Sequence, residues 1–309
     1  INPSSDGDFY TSIERKNGQT EIVKYSYKKN KKIATLFSNF SFENFNFSDY
    51  DVSNDGNWLL LFNSKESIYR RSSKSYYYLY NIKEKSLKPL ADTLLGKQRL
   101  ATFSPDNSKI AYVRNNNLYY KSLNDLKEKK ITHNGSINKI INGATDWVYE
   151  EEFSIHKGFF WSPDGSKIAY YVFDEEHVKQ FEMEIYDHLY PSKYKFKYPK
   201  AGEQNSSSAI KVYDLNNNRT YNFDIGDEED IYIPRIMWSK NNHELIVFRM
   251  NRLQNKLELL CGKINDNVNP NSEIIVKNIY SEKSDTYIDI HDNTYCLLYT
   301  SDAADELRS

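Results

Sequence analysis

The sequence is poor in the residues that carry several common kinds of site. Two cysteines, Cys261 and Cys296, in 309 residues are too few for a disulfide framework or a structural zinc site. No two of the 11 glycines lie four residues apart, which excludes a Gly-x-Ser-x-Gly nucleophile elbow and a glycine-rich phosphate loop within this stretch. The six histidines show no metal-ligand spacing with the cysteines. We therefore expect no catalytic nucleophile, metal or other cofactor in this part of the protein.

Long hydrophobic runs and an excess of charge of one sign are also missing. The longest apolar runs resemble Trp58-Leu59-Leu60-Leu61-Phe62, far short of the roughly 20 residues that span a bilayer. A formal net charge of −2 gives no general basic field, so we expect no nucleic-acid partner. The chain opens with Ile1 rather than Met, and we interpret it as part of a longer protein whose targeting signal would lie elsewhere.

Aromatic residues, in contrast, are abundant. The chain has 26 Tyr and 16 Phe, and 39% of its residues are hydrophobic, which is enough for a sizeable core. Tyr and β-branched residues favour strands. The composition therefore predicts a mostly β protein.

A recurring turn organises the chain. It follows the end of one apolar strand and precedes the next. Pro, present in two of the copies, fits the first turn position, and Gly or Asn supplies a positive φ. The four copies are Val52-Ser53-Asn54-Asp55-Gly56-Asn57-Trp58-Leu59, Phe103-Ser104-Pro105-Asp106-Asn107-Ser108-Lys109-Ile110, Trp161-Ser162-Pro163-Asp164-Gly165-Ser166-Lys167-Ile168 and Trp238-Ser239-Lys240-Asn241-Asn242-His243-Glu244-Leu245. Spacings of roughly 50 to 75 residues indicate propeller blades, whereas a two-sheet sandwich does not predict this recurrence.

We predict an all-β fold, a β-propeller with about five blades in residues 1–294. Hairpin turns are expected at Lys16-Asn17-Gly18 and at Arg114-Asn115-Asn116-Asn117, and Lys28-Lys29-Asn30-Lys31-Lys32 is expected to be a solvated loop between strands. Because an unclosed ring would expose long strand edges, we interpret the blades as part of a larger ring. Residues 295–309 differ in composition from the Lys-, Asn- and Tyr-rich chain before them and contain the Ala303-Ala304 pair. They resemble a translated sequencing adapter, so we predict that they are not part of the natural protein.

The most chemically distinctive segment is Asp146-Trp147-Val148-Tyr149-Glu150-Glu151-Glu152-Phe153. Three consecutive glutamates repel one another, so a cation is needed to offset them. A solvated acidic loop is one interpretation. The other is an amine site, because two carboxylates can accept the three N–H donors of an ammonium group.

This segment resembles the Asp-Trp-x-Tyr-Glu-Glu-Glu motif of the dipeptidyl peptidase IV family of serine exopeptidases. Trp161-Ser162-Pro163-Asp164-Gly165 and Tyr198-Pro199-Lys200-Ala201-Gly202-Glu203-Gln204-Asn205 continue the resemblance in order. Upstream, Tyr69-Arg70-Arg71-Ser72 looks like the family's arginine loop. The similarity runs from about Asp8 to Asn293.

The resemblance implies an eight-bladed propeller that covers a C-terminal α/β-hydrolase domain, with the active site between them. Glu151 and Glu152 would bind the free N-terminus of a peptide substrate, and Arg70 would assist through the substrate's carbonyl and by steadying the glutamates. Trp147, Tyr149, Glu150 and Asp146 would support the site, Glu150 in a structural role. The catalytic Ser, Asp and His would lie beyond residue 309, and the products would be N-terminal dipeptides with Pro or Ala second.

Two other functions remain open at this stage: a tripeptide-releasing relative and a non-catalytic propeller that serves as a binding scaffold. A free-standing accessory propeller conflicts with the Glu motif. The resemblance also implies export to the periplasm or cell envelope, and homodimers are common in the family. The Asn-, Lys- and Ile-rich composition suggests a bacterial source.

Overall fold

The computed structural model describes residues 1–4, 6–43, 45–240, 243–264, 274–290 and 292. They fall into two compact units, one made of residues 1–114 with 120–129 and the other of residues 115–119 with those from 130 onward. The predicted non-native tail, 295–309, lies outside the described residues, as do Asn241 and Asn242 of the fourth repeated turn.

The first unit begins with two antiparallel sheets of four strands, each joined in sequence order. The first contains β1 (Asn2–Pro3), β2 (Phe9–Lys16), β3 (Gln19–Ser26) and β4 (Lys31–Ser38), followed by a 3₁₀ turn at Asn39–Phe42. The second contains β5 (Asp49–Val52), β6 (Trp58–Ser67), β7 (Ser73–Asn81) and β8 (Ser86–Pro89), followed by a 3₁₀ turn at Thr93–Leu95.

Three further antiparallel meanders follow, two of four strands and one of five. The third sheet contains β9 (Arg99–Phe103), β10 (Lys109–Arg114), β11 (Asn117–Ser122) and β12 (Glu128–Lys130). The fourth contains β13 (Ile140–Asn142), β14 (Phe159–Trp161), β15 (Lys167–Asp174), β18 (Ser207–Asp214) and β19 (Arg219–Phe223), with β16 (Gln180–Ile185) and β17 (Ser192–Lys197) as a separate hairpin. The fifth contains β20 (Ile231–Trp238), β21 (Glu244–Asn251), β22 (Lys256–Lys263) and β23 (Ile275–Lys283). These five meanders are the blades that the repeat predicts.

Both predicted hairpin turns are confirmed. Asn17 and Gly18 join β2 to β3, and Asn115 and Asn116 join β10 to β11, all four with positive φ. The prediction that the lysine run up to Lys32 is a loop between strands is wrong at its end. β4 begins at Lys31, and the two lysines are exposed on that strand, because an edge strand accommodates charged side chains readily.

In the repeated turn, the side chains of a Ser and an Asp form hydrogen bonds that close the turn, in addition to the backbone preferences of Pro and Gly. In the third sheet the Ser104 hydroxyl donates to Asp106 Oδ1 (2.5 Å) and accepts the backbone N–H of Lys109 (3.0 Å), while Asp106 accepts the N–H of Ser108 (3.1 Å). The same bonds occur at Ser53 and Asp55 and at Ser162 and Asp164. A further copy at Ser4 and Asp6, which the sequence analysis missed, belongs to the first sheet.

Aromatic side chains fill the core of the first unit, as the composition predicts. Phe37 of β4 is 1% exposed and packs against Phe42, Phe47 and Tyr80 at ring-centroid distances of 5.0–5.5 Å. The cluster also holds Ile22, Tyr50, Leu59 and Leu61. Contacts between β4 and β7 thus tie the first blade to the second.

The first strand of the fourth blade is split into two pieces. β13 pairs with residues 172–174 of β15, and β14 pairs with residues 168–170 of the same strand. The residues between the two pieces contain α1 (Trp147–Glu152). No helix among the described residues is long and apolar enough to cross a membrane.

Candidate amine-binding site

Residues 144–157 form a loop that leaves the fourth sheet and returns to it. Gly143 and Gly158, at the two ends of this loop, are hydrogen-bonded to each other. The N–H of Gly158 donates to the carbonyl of Gly143 (3.2 Å), and Tyr171 of β15 bonds both glycines through its backbone. Thr145 Oγ1 donates to Ile155 O (2.9 Å) just inside these ends. Gly143 has φ +74°, and a Cβ on Gly158 would lie 2.8 Å from the carbonyl oxygen of Ala144. The segment is therefore a compact loop with fixed ends.

Asp146 begins α1 as its N-cap. Its Oδ1 accepts the N–H of Tyr149 (2.9 Å), and its Oδ2 accepts the hydroxyl of Ser206 (2.5 Å), a residue that directly precedes β18. Burial raises the pKa of Asp146, and the hydrogen bond from Ser206 acts in the opposite direction. The cap thus joins the start of the helix to the neighbouring strand.

Tyr149 anchors the middle of the helix. It is 1% exposed, and its ring contacts those of Phe153, Phe173 and Tyr232 at centroid distances of 5.3, 4.7 and 6.3 Å. Its hydroxyl accepts the backbone N–H of Ile233 in β20 (2.9 Å). Burial raises the pKa of Tyr149, so this side chain stays a neutral phenol.

A bulge in β20 makes that hydrogen bond available. The register between β20 and β21 shifts between Tyr232 and Arg235, so the backbone groups of Ile233 are not taken by the ladder. Tyr149 accepts from the Ile233 N–H, and the hydroxyl of Tyr171 donates to the Ile233 carbonyl (3.0 Å). The fifth blade is therefore bonded directly to the helix that carries the acidic motif.

Trp147 packs against another of the segments in which the sequence resembles the family. Its ring lies 4.2 Å from that of Tyr198 and 6.3 Å from that of Phe196, centroid to centroid. Tyr198 begins the segment through Asn205 that the sequence analysis placed in the same resemblance, and this segment connects β17 to β18. The two motif segments are adjacent although they are far apart in sequence.

The three glutamates have three different environments. Glu150 is fully buried, Glu151 is half-buried and Glu152 is exposed. Within the described part of the chain, Glu152 has no hydrogen-bond or ion-pair partner. The last turn of α1 has no basic residue, although a helix C-terminus favours cations and disfavours carboxylates. Glu151 and Glu152 are thus two adjacent carboxylates at the C-terminal end of α1, one half-buried and one exposed.

Arg70 and Arg71 are exposed in the loop that joins β6 to β7. This loop is closed by Ser72, whose carbonyl accepts the N–H of Ile68 (2.9 Å). Arg70 belongs to the first compact unit and the glutamates belong to the second. A joint action of Arg70 and the glutamates stays a prediction.

Arg235 is a contact of the site that the sequence analysis missed. Its Nη1 donates to the carbonyl of Phe153 (2.8 Å), the C-cap residue of α1. Its Nε lies 2.5 Å from Asp292 Oδ1. Local sequence gives no sign of this contact, because Phe153 and Arg235 are 82 residues apart. Among the described residues, no group of three His, Cys, Asp or Glu side chains is arranged to hold a metal.

Comparison with known proteins decides the family. The model of the dipeptidyl peptidase IV (DPP IV) N-terminal region matches residues 53–306. The chain belongs to this family. The crystal structure of Porphyromonas gingivalis dipeptidyl peptidase 4 superposes with a TM-score of 0.83 at 38% identity, over 94% of this chain and 40% of that one. The resemblance inferred from the motif and the predicted β-propeller blades are both confirmed.

Curated relatives agree over shorter stretches. Dipeptidyl peptidase 4 of Trichophyton rubrum is 33% identical over 206 residues, which is 63% of this chain and 26% of that protein. Dipeptidyl peptidase 4 of Sus scrofa is 34% identical over 187 residues, which is 59% of this chain and 24% of that protein. The matched part of this DPP IV N-terminal region therefore spans about a quarter of the relatives' length.

Proposed function

We propose that the protein containing this chain is a serine-type dipeptidyl aminopeptidase in which Glu151 and Glu152 bind the N-terminal ammonium group of a peptide. The observation that carries the proposal is the fixed helix α1, which ends in two adjacent carboxylates without a basic residue in its last turn. The relatives with similar sequence and fold are named dipeptidyl peptidase 4. The proposal applies that activity to this protein.

The chemistry of the pair suits an ammonium ligand. Two carboxylates offer enough acceptors for its three N–H donors, and such charge-assisted hydrogen bonds are about twice as strong as neutral ones. The gradient of exposure from Glu150 to Glu152 gives the pair one side chain open to solvent and one held closer to the protein. Glu150, fully buried, serves the packing of the helix.

A fixed amine site also sets the length of the product. Two extended residues span about 7 Å, so a clamp at that distance from the nucleophile selects the second peptide bond. Holding the N-terminus places the scissile carbonyl and lowers the entropic part of the barrier without breaking a bond. Arg70 would bind the substrate's carbonyl, and the hydrolase domain would supply the nucleophile and select Pro or Ala at the second position.

The test uses the full-length protein with Glu151→Gln and Glu152→Gln, which keep the side-chain volume and remove the charge. Turnover of an X-Pro p-nitroanilide with a free amine should fall about 10- to 100-fold in kcat/KM, since each hydrogen bond to a charged group contributes about 1.5–3 kcal/mol. Labelling of the active serine by a small fluorophosphonate, which has no amine, should be unchanged. Glu176→Gln is the control, since Glu176 is an exposed glutamate paired with Lys139 outside α1.

Each other outcome has a definite meaning. Near-normal turnover by a folded Glu151→Gln and Glu152→Gln double variant would refute the amine site. Absence of fluorophosphonate labelling in the wild type would identify a binding scaffold instead of a peptidase. Release of tripeptides would assign the tripeptidyl alternative.

Export to the periplasm or envelope and homodimer formation also remain predictions, to be checked by cell fractionation and by sedimentation of the full-length protein.

A further inference from the structure

The end of α1 is held by a residue of the next blade. Arg235 lies directly after the bulge in β20, and its side chain is 17% exposed. Its Nη1 donates to the carbonyl of Phe153 (2.8 Å) and to its neighbour Pro234 (2.7 Å), and its Nε pairs with Asp292. The guanidinium group thus has a fixed orientation at the C-cap of the helix.

This contact matters because α1 is too short to be stable without contacts to the rest of the protein. Helices under about 12 residues are marginal in isolation, and α1 has 6 residues. The last carbonyls of a helix have no partner within it. Phe153 directly follows Glu152, so a donor on the Phe153 carbonyl restrains the backbone one residue beyond the proposed ammonium ligands. The positive charge also favours the helix C-terminus, where the two glutamates are otherwise unfavourable.

We infer that Arg235 is a positioning residue of the amine site, which orients Glu151 and Glu152 through the backbone of Phe153. This inference rests on the proposed function of the glutamates. It assigns to the fifth blade a part in recognising the substrate's N-terminus. Arg235 needs no contact with the substrate for this role.

The same sheet offers a matched control residue. Arg249 of β21 has a side chain 18% exposed, donates to the carbonyl of Ile225 (2.5 Å) and pairs with Glu258 (2.6 Å). It therefore resembles Arg235 in burial, in its bond to a backbone carbonyl and in its carboxylate partner. Its partners lie outside α1 and outside residues 143–158. Loss of Arg249 should affect the sheet without affecting the end of the helix.

The experiment compares Arg235→Met, Arg235→Lys and Arg249→Met in the full-length protein. Methionine keeps the aliphatic stem and removes the donors and the charge. For the free-amine X-Pro substrate, Arg235→Met should lower kcat/KM about tenfold, mainly through KM, as expected for loss of one charged hydrogen bond. Arg235→Lys, which can still donate to Phe153, should recover most of that loss. Fluorophosphonate labelling should stay at the wild-type rate in all three variants.

Several results would overturn the inference. If Arg235→Met lost turnover and labelling together, or behaved as Arg249→Met does, Arg235 would be a structural residue only. If Arg235→Met lowered turnover equally in the wild-type and Glu151→Gln backgrounds, it would not act through the glutamate, because coupled residues give non-additive effects. The proposed function is tested separately, by the turnover of the glutamate variants, by the labelling of the wild-type protein and by the length of the released peptide.

Discussion

Replacing Tyr149 by Phe removes a single hydroxyl group from the centre of the site. The ring of Tyr149 would keep its contacts with Phe153, Phe173 and Tyr232. The backbone N–H of Ile233 would lose the acceptor that now lies 2.9 Å away. Because this N–H lies in the bulge of β20, the ladder with β21 offers no substitute.

The cost follows from the burial of that N–H group. An unsatisfied buried donor costs about 1–3 kcal/mol, and Ile233 is 0% exposed. The substitution adds no large cavity, so we expect the free energy of unfolding to fall by about that amount. Tyr171→Phe is the matched control, since Tyr171 is 0% exposed and its hydroxyl donates to the carbonyl of the same Ile233 at 3.0 Å.

Urea unfolding followed by tryptophan fluorescence should show similar losses of stability in the two variants. Peptide turnover should separate them, because Tyr149 lies on α1 and Tyr171 lies on β15. In the full-length protein, Tyr149→Phe should lower kcat/KM for a free-amine substrate several-fold through KM, and Tyr171→Phe should leave it near the wild-type value. Equal losses of turnover in both variants, or no loss of stability in Tyr149→Phe, would refute the reasoning.

Two further substitutions test the frame of the site and the repeated turn. Gly158→Ala should destabilise the fold by about 1–3 kcal/mol in urea unfolding and lower peptide turnover, because the new Cβ would lie 2.8 Å from the Ala144 carbonyl oxygen; wild-type stability would contradict this close approach. For Asp106, burial opposes ionisation, but hydrogen bonds from Ser104, Ser108 and Lys109 outweigh it and lower its pKa to about 2. The ionised form therefore contributes stability above the unfolded pKa near 3.9, which is lost as the pH falls through about 2. Asp106→Asn should cost about 1 kcal/mol at pH 7, after discounting for its partial exposure, and the difference should vanish near pH 2; a difference independent of pH would exclude the carboxylate as its source.

The repeating blades could be predicted from the sequence because their determinants are local. Ser104 and Asp106 shape their turn through bonds to residues at most five positions away. Asn115 and Asn116 likewise form a short hairpin turn, and Asn readily adopts the positive φ that such a turn requires. The copy at Ser4 and Asp6 was missed because no long apolar run follows it, since β2 reads Phe9-Tyr10-Thr11-Ser12-Ile13-Glu14-Arg15-Lys16.

The helix of the amine site could not be predicted in the same way. Six residues give no helical period, and α1 depends on partners from β20 and from the residue before β18. Ser206 is 60 residues from Asp146, and Ile233 is 84 residues from Tyr149. The motif indicated which residues matter through its resemblance to a family, but the contacts that fix them are properties of the folded blades.

The placement of the glutamates runs against the ordinary rules of helix stability. A helix C-terminus favours Lys or Arg, yet α1 ends in Glu151 and Glu152 and has no basic residue in its last turn. Its N-cap bond to Ser206, its Tyr149 bond to Ile233 and its C-cap bond to Arg235 offset this disadvantage from outside the helix. Departures from local rules are expected where function requires them. Because the bond from Arg235 lies at the C-cap beside Glu151 and Glu152, the amine site proposed for these two carboxylates should depend on the fifth blade as well as on the helix itself.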